Sequence, residues 1–130
     1  MRRLLTALAR LAVGVPFIVL GSNLVRRPDP LAPVVERSGL PLPVDARTAV
    51  LVNGAAMMAG GAAVATGLAP RVGALTVAAM LGPTTYAGHP FWKREDPVKR
   101  LIARNELLKN VALAGGLIAV AALEHRASRR

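Results

Sequence analysis

From Thr48 to Leu68 the chain carries no charged residue. A stretch of ~20 apolar residues is the length that crosses a hydrocarbon core of ~30 Å as a helix. In lipid the backbone must satisfy its own N–H and C=O groups, which leaves helices or closed barrels. Leu4–Val25 repeats the pattern with one interruption, Arg10. Two shorter blocks, Val72–Ala87 and Asn110–Leu123, follow. The expected architecture is all-α: one membrane domain over residues 1–130, a four-helix transmembrane bundle with helices at about 4–25, 48–68, 72–87 and 105–123 and short interfacial helices in its connectors.

Composition agrees. Hydrophobic residues make up 53% of the chain but aromatics only 3%, so the apolar mass is Ala, Val and Leu. Small residues let helix backbones approach closely in lipid, as at Ala56/Gly60 and Ala63/Gly67 with their small-xxx-small spacing. The net charge of +10 fits either nucleic acid or a membrane surface. The charges fall between the apolar blocks, which excludes nucleic acid and makes the lipid bilayer the partner. The chain has no Cys, so disulfides, thiol chemistry and iron–sulfur ligation within it are excluded.

The connectors carry their own signals. Five prolines between Arg26 and Ala46 forbid a long helix there. Pro33, Val34, Val35 and Gly39 allow a short one, lying at the interface. Pro16 and Pro83 lie within spans, and Thr84 and Thr85 can take up carbonyls that Pro83 frees. Phe91 and Trp92 beside a charge cluster read as an interface anchor, with Lys109 snorkelling at the start of the last span. From Pro97 an amphipathic helix, with Val98, Leu101, Ile102, Leu107 and Leu108 on its apolar side, runs into that span. Ala59-Gly60-Gly61 recurs as Ala114-Gly115-Gly116, a similarity that chance accounts for in so Ala- and Gly-rich a chain. The first segment lacks a small-residue cleavage site before Arg26 and is expected to stay as an anchor.

Four spans put both termini on one face. The connectors hold more Lys and Arg than the termini do, whereas the basic tip Arg2-Arg3 favours a cytoplasmic N-terminus; the termini are expected inside the cell membrane. The same count sets His89 and His125 on opposite faces and rules out a shared metal or haem. Arg10 is the one charge well inside a span. It reads as a site for an anionic or quinone-like ligand, or as a side chain reaching back to the interface. Its expected partner is Glu124, the only acidic residue on that face. Asn53 and Asn110 sit at matching positions of their spans and suit interhelical hydrogen bonds or a ligand. The expected ligand-lining set is Arg10, Asn53, His89 and Asn110. No dinucleotide loop, P-loop, zinc motif or nucleophile elbow occurs, so no catalytic residue is named; without a self-contained catalytic motif the sequence leans against an enzyme and leaves the question open.

Several stretches resemble the DoxX family of small bacterial membrane proteins: Asn53-Gly54; Gly67-Leu68-Ala69-Pro70-Arg71; Pro83-Thr84-Thr85-Tyr86-Ala87-Gly88-His89-Pro90-Phe91-Trp92; and Leu108-Lys109-Asn110 running into Leu113-Ala114-Gly115-Gly116-Leu117. Arg10, Gly14, Phe17 and Gly21 fit as well, so the resemblance spreads over nearly the whole chain. It implies a four-helix bundle in the bacterial inner membrane. It also implies a subunit or accessory protein that supports a redox-protein partner in a quinone-linked, oxidative-stress or sulfur system, with quinone as the cofactor suggested. Many relatives carry an acidic residue shortly after Asn-Gly, where this chain has Ala55, Ala56, Met57 and Met58. The alternatives are a small-molecule transporter and a ligand-free scaffold, and a homo-oligomer is compatible with every one of these readings.

Overall fold

The computed structural model describes residues 1–127, apart from the side chains of Arg2 and residues 124–127. Helix α1 runs Arg2–Arg26, α2 Ala32–Ser38, α3 Ala46–Thr66, α4 Pro70–Gly88 and α5 Pro97–Ala127, with a 3₁₀ turn at Phe91–Lys93. No strand occurs among the described residues. Three helices are long and apolar enough to cross a membrane: Arg3–Arg26, Ala46–Thr66 and Pro97–Leu123. The fourth long helix, α4, is not among them, because Pro70, Arg71, Pro83 and three threonines dilute its apolar content.

Local chemistry sets the ends. Asp45 caps α3, its Oδ1 accepting from the Thr48 N–H at 3.0 Å and its Oδ2 from the Thr48 hydroxyl at 2.6 Å. Gly67 closes α3 and Gly39 closes α2, both with φ near +70°, the left-handed conformation that a side chain disfavours. Thus α2 forms where Pro33 and Gly39 predict it. The surface helix from Pro97 and the last span are one uninterrupted helix, α5. Pro16 and Pro83 are both accommodated inside continuous helices.

Helices α1, α3, α4 and α5 pack in chain order, each antiparallel to the next. The α1–α3 seam is made by glycine. Gly14 faces Gly61 and Gly21 faces Gly54, each pair two turns from the other. A Cβ built on Gly61 would stand 2.6 Å from the Gly14 carbonyl oxygen, and one on Gly54 would stand 2.8 Å from that of Gly21. The adjacent Gly60 does the same towards α4, opposite Gly73. The Gly60-Gly61 pair therefore lets α3 press against a neighbour on each side. Gly67, expected with Ala63 to be a close-packing pair, is the cap of α3. Nothing lies within 4 Å of a Cβ on Gly115 or Gly116, so the second Gly-Gly does not repeat the role of the first.

The core is small and shared. Phe17 of α1, Met57 and Val64 of α3, Ala74, Val77 and Leu81 of α4, and Leu117 and Ala121 of α5 form one buried cluster. Ala74 and Val77 are wholly enclosed. The large apolar side chains mostly point outward: Leu4, Leu8, Leu11, Val15 and Val19 on α1, and Leu101, Leu108, Val111 and Ile118 on α5. A soluble fold would bury these residues first. Small residues inside and branched ones outside is the distribution that lipid solvation allows. In α5 the packed residues are Ala103, Leu117 and Ala121, while Val98, Leu101, Ile102 and Leu108, the expected apolar side of its first turns, are exposed.

Candidate functional site

The connector between α1 and α3 folds back over the ends of α3 and α4. Beneath it lies a cavity of about 320 Å³. Its outer wall is α2 and the segment after it, through Leu31, Val34, Val35, Leu40, Leu42 and Val44. Its inner wall is Leu24, Val50, Asn53, Met80, Pro83 and Thr84. An exposed ion pair ties the connector's ends, Arg47 Nε donating to Asp29 Oδ1 at 2.8 Å. Lys93 Nζ donates to the Arg37 carbonyl at 3.4 Å, holding α2 to the turn after α4. The connector is thus a cover seated on the bundle.

No charged side chain lines the cavity, and its polar side chains are Asn53 and Thr84. Asn53 Nδ2 donates to Thr84 Oγ1 at 2.9 Å and lies 3.5 Å from Met57 Sδ. Thr84 Oγ1 in turn donates to the Met80 carbonyl at 2.8 Å. That carbonyl is one residue past Ala79, whose helical partner Pro83 removes, so the hydroxyl takes the neighbouring acceptor rather than the freed one. Asn53 Oδ1 is shut off from water and accepts no hydrogen bond from any described residue. Such an orphan acceptor costs about 1–3 kcal/mol.

A mirror arrangement lies across α4. Asn110 Nδ2 on α5 donates to Thr85 Oγ1 at 2.9 Å. The consecutive threonines of α4 therefore hold α3 with one hydroxyl and α5 with the other. A shallower cleft of about 300 Å³ opens beside this second pair, lined by Leu81, Tyr86, Trp92, Leu107 and Asn110. Trp92 is half exposed at its rim, its ring centroid 5.4 Å from that of Tyr86 and 5.3 Å from that of Phe91.

The four polar residues expected around one intrabundle site are not gathered. Asn53 and Asn110 stand on opposite sides of α4. Arg10 belongs to the other end of the bundle, where its guanidinium lies against Gly67 at the carbonyl end of α3. A cation there meets the negative end of the helix dipole. Arg10 also lines a polar recess with Arg3 and Thr6. The expected Arg10–Glu124 contact lies outside the described residues, since the Glu124 side chain is among those not described. His89 is the residue after α4, donating its backbone N–H to the Thr85 carbonyl at 2.9 Å. It lines neither the cavity nor the cleft. Lys109 is engaged by Glu106 at 2.6 Å. The described residues hold no cluster of His, Cys, Asp and Glu suited to a metal.

What sequence reasoning missed is the outer wall. Leu31, Val34, Leu40 and Leu42 alternate with prolines and charges and give no periodic signal, yet they are what encloses the space around Asn53.

No characterised protein and no solved structure matches the chain. The DoxX family model matches residues 5–90, the interval from the exposed leucines of α1 through the Asn53–Thr84 pair to the end of α4. The stretch around Asn110, counted above in the resemblance, falls beyond that match. The match takes in the glycine seam, the connector and the cavity together, and with helices apolar enough to span a bilayer it makes the chain a membrane protein of the DoxX family.

Proposed function

We propose that the chain is a multi-pass protein of the bacterial cell membrane with four spans and cytoplasmic termini. In this reading it serves as a subunit or accessory protein of a quinone-linked redox system by holding a lipophilic small molecule under its connector. The observation that carries the reading is an uncharged, apolar cavity of about 320 Å³ with an unpaired side-chain acceptor, Asn53 Oδ1, in its wall. Concave apolar pockets of this size with a few placed polar groups are the usual form of a small-molecule site. The outward leucines of α1 and α5 support immersion in lipid, from which such a molecule would enter. The enclosure of α4 between α3 and α5 supports its crossing as the fourth span despite its lower hydropathy. The redox setting rests on the family.

The test is extraction of the protein from native membranes in polymer-bounded discs, followed by mass spectrometry of the bound small molecules and proteins. A lipophilic molecule enriched well above bulk lipid, lost in Val35→Trp where the indole fills the cavity, is the expected result, together with a co-purifying redox enzyme. Wild-type and Val35→Trp discs of identical content would refute the ligand role, and the absence of any redox protein would refute the setting.

A further inference from the structure

The one unpaired polar side-chain atom of the cavity wall specifies the group that binds there. A threonine hydroxyl has a single hydrogen, and that of Thr84 goes to the Met80 carbonyl at 2.8 Å. Its oxygen can therefore only accept from Asn53, which fixes the amide with Nδ2 on Thr84 at 2.9 Å and leaves Oδ1 as the unpaired end. The second hydrogen of Nδ2 faces the weak acceptor Met57 Sδ at 3.5 Å. Among its side chains the wall thus offers a free acceptor and no free strong donor. It also lacks any side-chain charge to compensate an ion. Burying an unpaired carboxylate or ammonium among these residues would cost several kcal/mol.

We infer that the cavity recognises a neutral O–H or N–H donor on an apolar body, an alcohol, phenol or amide, by donation to Asn53 Oδ1. It discriminates against ethers, ketones and carboxylates of the same shape. The inference rests on the reading of this cavity as a ligand site. Oδ1 is screened in the structure, so recognition requires the amide to turn slightly about its broad terminal torsion while Nδ2 stays on Thr84. Of the two members of a quinone couple, only the reduced one carries the required hydroxyl.

The experiment compares 4-hexylphenol with 4-hexylanisole, which differ by one methyl group and by the donor. Binding is read by equilibrium dialysis against the full-length protein in lipid nanodiscs. Val35→Trp nanodiscs give the lipid-partition baseline. The wild type should prefer the phenol by about tenfold, the worth of one hydrogen bond to an otherwise unpaired acceptor. Asn53→Leu should bring the ratio to about one. Thr84→Val, which releases the amide to turn either end to the cavity, should also lower it, and keeps the test intact if Asn53→Leu does not fold. Equal binding of the two probes by the wild type, or a phenol preference that survives both substitutions, overturns the donor inference and leaves the cavity as a ligand site. Binding of neither probe above the Val35→Trp baseline overturns the ligand site, and the inference with it.

Discussion

The same substitution, glycine to alanine, should have opposite signs at the two Gly-Gly pairs. At Gly61 the new methyl would sit 2.6 Å from the Gly14 carbonyl oxygen, 3.0 Å from the Ile18 nitrogen and 3.1 Å from the Phe17 Cβ. Two of these are backbone atoms of a helix, which cannot swing aside as a side-chain tip can. Restoring ordinary contact requires α1 and α3 to part by the better part of an ångström. That separation loosens the Gly21–Gly54 contact two turns away as well. Overpacking of this kind costs about 1–3 kcal/mol. Alanine's better helix propensity returns at most about 1 kcal/mol. Gly61→Ala should therefore destabilise by about 1–2 kcal/mol. At Gly115 or Gly116 a methyl meets nothing within 4 Å, so only the propensity gain remains and the change should stabilise by up to about 1 kcal/mol. Denaturant unfolding in mixed micelles, followed by circular dichroism, measures both. If Gly61→Ala is neutral, or Gly115→Ala is as damaging as Gly61→Ala, the glycine seam is not what joins α1 to α3.

Further outcomes follow from the caps and the polar pairs. Gly67→Ala should cost about 1–2 kcal/mol, the penalty of the left-handed conformation; the Arg10 guanidinium, a flexible tip, should move aside without adding much, so that Arg10→Gln should rescue little. A double-mutant cycle of Asn110→Leu and Thr85→Val should give a coupling of about 0.5–1.5 kcal/mol, the range for hydrogen bonds between membrane helices; additive effects would deny the bond. The carboxyl of Asp45 is held below its usual value of 3.8, chiefly by the Thr48 hydroxyl and then by the Thr48 N–H. A depressed folded-state value means that the cap stabilises α3 above that pH and is lost as pH falls through the lower, folded value. Wild-type protein should therefore lose a component of stability on acidification that Asp45→Asn lacks, as read by thermal unfolding at pH 6 and pH 3.

Much of the helical frame was legible because lipid leaves so few choices. Thr48–Leu68 had to be a helix, and Pro33 with Gly39 marked α2 to within a residue. Asn53 and Asn110 could be named as interhelical donors since an unpaired amide in an apolar segment is costly. Which helices they bridge was not legible, because Thr84 and Thr85 are adjacent in sequence yet project about 100° apart around α4. Which face of α5 packs was not legible either: Leu101, Ile102 and Leu108, the apolar side expected at the membrane surface, stay outward and Ala103 packs in. The cavity was invisible because its outer wall comes from an aperiodic, proline-rich connector whose course only the folded chain reveals.

Helix α4 has a consequence for the parity of the molecule. Counted by hydropathy, the crossings are three, an odd number, and the two ends of the chain would face different compartments. Counted by packing, α4 returns alongside α3 after only Gly67, Leu68 and Ala69, and α5 returns alongside α4. The start of α1 and the end of α5 then lie at the same end of the bundle. The helix that lacks an apolar window of spanning length thus decides whether both tails share one compartment, and reporters fused to the two ends would report on α4 rather than on themselves.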